Sequence, residues 1–183
     1  AMRGAGHEND LAGLVVFGRN PRLELPPSDA PRFKLLELPA ADDGNYTNIA
    51  AALKLALASL PEGTGKRVVL VDGDLRNPAV AQRLDLTPAA RQGAADRGLT
   101  TVLRGENTLA EGLIPEVPVG QHRIAVLPAG PATTRPGELW AGDHTSNLFA
   151  ELSAQFDYAV VDTPPLGKYH HDAVPAALPD AAL

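Results

Sequence analysis

The chain has 183 residues, enough to bury a full hydrophobic core, and its composition of 44% apolar and 21% charged residues is that of an ordinary globular protein. A formal net charge of −6, with no block of Lys or Arg, argues against a nucleic-acid partner or an anionic membrane surface. The absence of cysteine excludes a disulfide scaffold and a thiolate metal site, and no apolar run approaches the ~20 residues that cross a bilayer.

In chain order, residues 1–10 are polar, 11–17 (LAGLVVF) predict a strand, and 20–31 predict a Pro-rich connector. Residues 33–38 (FKLLEL) are a candidate strand, followed by a loop over 39–47. Ile49, Ala52, Leu53, Ala56, Leu57 and Leu60 recur at helical spacing, so 46–60 is predicted as an amphipathic helix, closed by the turn residues of 61–65. The Val-rich run 66–72 has no helical period and reads as a buried parallel strand. Beyond it come a short helix over 79–84, a polar loop over 85–97, two short helices over 98–105 and 108–114, and a strand over 122–127. Trp140 is expected in the core or as partial cover for it. Leu148, Phe149, Leu152 and Phe156 form a helical stripe ahead of a strand that ends at Asp162. Strand alternating with helix at this pitch predicts an α/β fold, a mostly parallel sheet covered by helices on both faces. The expected division is an N-terminal segment over 1–31 and an α/β domain over 32–183, with 181–183 starting what looks like another strand.

Two strands end in acids. Asp72-Gly73-Asp74 closes one and Asp162-Thr163-Pro164-Pro165 follows the other. Open α/β sheets collect ligands at the carboxyl ends of their strands, so two acids delivered to one edge point to a magnesium-nucleotide site. Gly63-Thr64-Gly65-Lys66 has the look of a phosphate loop, but it follows a helix and precedes a strand, and Arg67 stands where Ser or Thr is needed. It reads as a helix cap and turn. His170-His171-Asp172 reads as a surface loop, because adjacent histidines on a helix diverge.

Asp72-Gly73-Asp74-Leu75-Arg76-Asn77-Pro78 resembles the Walker A′ motif of the bacterial tyrosine kinases (BY-kinases), D-x-D-L-R-x-P, and 159–165 resembles their Walker B. Gly98-Leu99 through Gly105 is similar to the family's G-L-x-x-x-L-x-G. Leu127-Pro128-Ala129-Gly130 with Arg135-Pro136-Gly137-Glu138-Leu139 is similar to its L-P-A-G…N-P-x-E-L-L. Order and spacing agree over 65–183. The resemblance implies a P-loop NTPase-like fold, Mg-ATP as cofactor, and Asp72 and Asp74 acting on magnesium and the attacking hydroxyl. It further implies Asp162 holding magnesium through water and Arg76 at the nucleotide. The place would be the cytoplasmic domain of an inner-membrane-associated protein, working with membrane-embedded polysaccharide polymerase and export machinery, with self-association open.

The phosphate cradle departs from that pattern. Laid without gaps on the family's loop, Gly44 takes the last glycine, Asn45 the lysine, Tyr46 the first Ser/Thr ahead of Thr47, and Asp42 an earlier glycine. Asp42 and Asp43 add negative charge beside a polyanion, and Asn45 removes the cation that would offset it. Weak or absent ATP binding is expected, and with it a pseudokinase. The three tyrosines, Tyr46, Tyr158 and Tyr169, form no cluster for autophosphorylation, and 18–43 carries no E-x-x-R-x-x-R. The alternatives are an active autokinase or ATPase whose phosphate loop lies elsewhere, and a partition-type deviant Walker switch, which D-L-R-x-P and L-P-A-G argue against.

Overall fold

The computed structural model describes residues 12–16, 21–28, 49–59, 67–86 and 96–164, which fall in two compact units, one holding 12–59 and the other 67–164. In the first, β1 (Ala12–Val16) pairs antiparallel with β2 (Arg22–Ser28). β1 lies inside the predicted 11–17. β2 corrects the expected connector over 20–31. Its Pro26 and Pro27 fall between the Leu14–Leu25 and Ala12–Ser28 pairs, where the register slips and the ladder asks for no donor. α1 (Ile49–Ser59) falls within the predicted helix, contacts both strands, and buries Ala52, Leu53 and Leu57 from its apolar stripe. The candidate strand over 33–38, the loop over 39–47 and the turn over 61–65 lie outside the described residues.

The second unit is built on a four-stranded sheet in the order β4 (Ile114–Val119), β5 (His122–Leu127), β3 (Val68–Asp72) and β6 (Tyr158–Asp162). β5 and β6 flank β3 in parallel, and all five residues of β3 are buried, as a Val-rich run without alternation requires. β4 joins β5 as an antiparallel hairpin through Gly120, at φ +61°. The prediction had no strand there, because Pro115 and Pro118 interrupt the run. An edge strand accepts them: Glu116 sits at φ +58° and the register shifts between Ile114 and Val117, so the ladder is already broken.

The pleat sorts the sheet into two faces. Val69, Val71 and Leu127 join a buried cluster with α3 (Leu99–Leu103), α4 (Leu109–Gly112), α5 (Pro136–Trp140) and α6 (His144–Gln155). Val68, Leu70, Ile124 and Val126, on the other face, are buried as well. α4 begins with a reciprocal cap: the Thr108 N–H donates to Glu111 Oε2 and the Glu111 N–H to Thr108 Oγ1. α5 escapes prediction because it is barely more than a turn; Pro136 opens it and Trp140 closes it, buried, its ring stacked on Phe149 with centroids 6.3 Å apart.

Two motifs lock together behind the sheet edge. The Leu99 N–H donates to the Pro128 carbonyl and the Thr100 N–H to the Ala129 carbonyl, each at 2.8 Å. The approach leaves no room at Gly98, where a Cβ would lie 2.4 Å from the Pro128 oxygen and 2.5 Å from the Gly130 nitrogen, both backbone atoms. Gly98→Ala is expected to destabilise the protein by about 2–3 kcal/mol, read as a fall in the urea midpoint at unchanged m-value.

Candidate functional site

β3 and β6 run in register from the Val68–Tyr158 pair to the Asp72–Asp162 pair. Parallel neighbours in register share a pleat, so Asp72 and Asp162 stand side by side at the carboxyl end of the sheet, on the face away from Trp140. The chain then turns at Gly73, whose N–H donates to the Asp162 carbonyl at 2.8 Å. A Cβ at Gly73 would meet that same oxygen at 2.6 Å, so the closeness of the two strand ends depends on glycine there.

The two acids that pair are both deeply buried, Asp72 at 1% and Asp162 at 8% exposure. Asp72 Oδ2 accepts from the Val80 N–H at 3.1 Å, at the start of α2 (Val80–Arg83), while its Oδ1 is buried without a hydrogen-bond partner. Burial pushes the Asp72 carboxyl up to about 6; the Val80 N–H opposes that rise and the Asp74 charge adds to it. Burial, then repulsion from Asp72 and Asp74, pushes Asp162 up to about 7, with the Arg83 guanidinium pulling the other way. Groups this close titrate as a pair.

Asp74 is engaged differently. Its Oδ1 accepts from the Arg76 N–H at 3.2 Å and the Asn77 N–H at 2.9 Å, closing a turn on itself. Nothing in the spacing of the acids points to Arg83. It acts on Asp162 from α2, a four-residue helix whose placement the sequence does not encode. The cradle residues Asp42, Asp43, Gly44, Asn45, Tyr46 and Thr47 lie outside the described residues, as do His170, His171 and Asp172.

The pair fits a hard divalent cation. It offers oxygen only, it has a buried acceptor with nothing to accept, and a bound cation would relieve the repulsion of its like charges. Among the described residues no three His, Cys, Asp or Glu side chains converge, which suits magnesium, an ion that keeps much of its water.

A mostly parallel sheet flanked by helices, with acids in register at its carboxyl edge, defines a P-loop NTPase-like α/β domain. The chain is 32% identical over 114 residues to the tyrosine-protein kinase ptk of Acinetobacter johnsonii, a match covering 60% of this chain and 14% of that protein. It is 37% identical over 109 residues to the succinoglycan biosynthesis transport protein ExoP of Rhizobium meliloti, covering 57% and 12%. The crystal structure of the chimerical protein CapA2B2 superposes with a TM-score of 0.55 at 26% identity, over 72% of this chain and 52% of that one. No protein-family model matches the chain. In sequence and in fold it is similar to bacterial tyrosine kinases, as its motifs predict, and it spans about half the length or less of each protein named here.

Without metal, the raised carboxyls hold protons in the folded state that an unfolded chain, with carboxyls near 3.8, has already released. Where the native state binds more protons, stability falls as pH rises, here from about 4 to about 7. Asp162→Asn removes one charge from the pair. At pH 8 it is expected to be more stable than the wild type by at least ~1 kcal/mol, and the gap should narrow as pH falls and close below about pH 4, measured by urea denaturation of metal-free protein.

Proposed function

We propose that this chain is the cytoplasmic domain of a regulator of capsule or exopolysaccharide polymerisation and export, a pseudokinase that keeps a tyrosine-kinase fold and has lost phosphoryl transfer. The observation that carries the reading is a mismatch: the metal-side acids Asp72 and Asp162 stand in register at the sheet edge, while the phosphate loop in the sequence has Asn45 in place of lysine. The biosynthetic role is supported by similarity to ExoP, a succinoglycan biosynthesis transport protein. Its partner would be membrane-embedded polymerase and export machinery, reached from the cytoplasmic side.

Asp72 Oδ1 and the Asp162 carboxylate would hold magnesium together with water. Bound there, the cation would supply charge neutralisation to a nucleotide phosphate. Asp72 is oriented for this by the Val80 N–H, and the Gly73–Asp162 backbone bond fixes the spacing of the two acids. On the phosphate side, Asp42 and Asp43 repel the polyanion and Asn45 offers it no charge, a loss worth several kcal/mol in a partly dry site.

One feature favours a second reading, an active ATPase or autokinase. Asp72 keeps an acceptor oxygen uncommitted, as a working magnesium site requires. Calorimetric titration separates the two. The pseudokinase reading expects no micromolar binding of Mg-ATP and no phosphotransfer signal that Asp72→Asn could abolish; micromolar binding overturns it. Asp42→Gly with Asn45→Lys is expected to tighten Mg-ATP binding at least about tenfold in the same experiment.

A further inference from the structure

The resemblance to the kinases assigns Asp72 and Asp74 to one joint task, yet the structure gives them different surroundings. We infer that Asp74 is a positioning residue: its carboxylate oxygen shapes the turn that brings the Val80 amide to Asp72. The inference builds on the magnesium-site reading above only where metal affinity is concerned; the turn itself needs no metal.

The hydrogen bonds form a short relay. Asp74 Oδ1 takes the N–H groups of Arg76 and Asn77 together, an arrangement that fixes the backbone of both. Pro78 follows, and a residue before proline is restricted to extended backbone, so the direction in which Asn77 leaves the turn sets where the next residues go. Two residues on, the Val80 N–H reaches Asp72 Oδ2 at 3.1 Å. The turn is held at its centre as well. Leu75 is fully buried, its N–H donates to the Gly73 carbonyl at 3.0 Å, and its own carbonyl accepts from the Thr133 N–H at 3.0 Å. With Leu75 pinned, the Asp74 side chain is what orders the segment between it and Val80.

Two further observations separate Asp74 from the acid pair. Asp74 is half-exposed where Asp72 and Asp162 are buried, and no third acidic or imidazole side chain converges on the pair among the described residues. Asp74 acts on the pair chiefly through the backbone it holds.

An amide oxygen accepts the same two hydrogen bonds as a carboxylate, so Asp74→Asn and Asp74→Ala part the two roles. In the full 183-residue chain, amide hydrogen exchange would be followed at Asn77 and Val80. Mn²⁺ alone would be titrated against the fluorescence of Trp140, the single tryptophan, whose ring lies 3.6 Å from where a Gly73 Cβ would be. Asp74→Asn is expected to keep both amides protected and Mn²⁺ affinity within about threefold of wild type, whereas Asp74→Ala speeds exchange at both amides and weakens Mn²⁺ by about tenfold. Equal loss of Mn²⁺ affinity in the two variants overturns the inference, since charge would then matter and the turn would not. So does unchanged exchange in Asp74→Ala, or fast exchange in Asp74→Asn. If wild type binds no Mn²⁺, the metal reading falls by itself and the exchange data still decide the role of Asp74.

Discussion

Two carboxylates buried side by side are an expense that a fold does not bear by accident. Each strand end at Asp72 and Asp162 would be cheaper with a neutral residue, since burial raises both groups and each repels the other. The register of β3 against β6 enforces the juxtaposition: a slip of one residue would send Asp162 to the opposite face and Val161 into its place. The rest of the domain can be understood as support for that register. The buried β3 anchors it, and helices packed behind Val69 and Val71 keep the sheet from sliding.

The loops beyond the strand ends supply what the strands cannot. Gly73 lets the backbone double back against the Asp162 carbonyl, and the following turn returns the Val80 N–H to Asp72. Behind them, Gly98 and the Pro128–Gly130 segment interlock through backbone hydrogen bonds, with Thr101 Oγ1 also accepting from the Gly98 N–H at 3.0 Å. Motifs separated by some thirty residues thus meet backbone to backbone. That explains why their glycines are spaced as they are: the positions are set by close approach and not by side-chain chemistry.

Most of the sheet was legible in the sequence because its strands are apolar runs of the right length, and the acids announced which end of the sheet matters. Val68–Asp72, His122–Leu127 and Tyr158–Asp162 were all anticipated for that reason. β2 and β4 were not, and the cause is the same in both. Proline in a run argues against a strand, and only the ladder shows that Pro26, Pro27 and Pro115 sit at slips in the register while Pro118 pairs with Arg123 on the outer strand of the described sheet. At the site, sequence could name Asp72, Asp74 and Asp162 but not sort them, since which carboxylate is buried and which caps a turn depends on backbone geometry that spacing does not encode. Arg83 was invisible for a related reason, as its influence on Asp162 arises from the placement of a four-residue helix.

The broken ladder of β4 has a bearing on how copies of this domain can meet. Pro115 and Pro118 remove two amide donors from the strand, and the left-handed backbone at Glu116 kinks what remains. A neighbouring chain seeking to extend the sheet from that rim would find no continuous row of donors and acceptors to zip onto. Growth into a shared β-structure is therefore blocked on this side. Any assembly that involves it has to form through side chains, a mode that is easily reversed and easily tuned by charge.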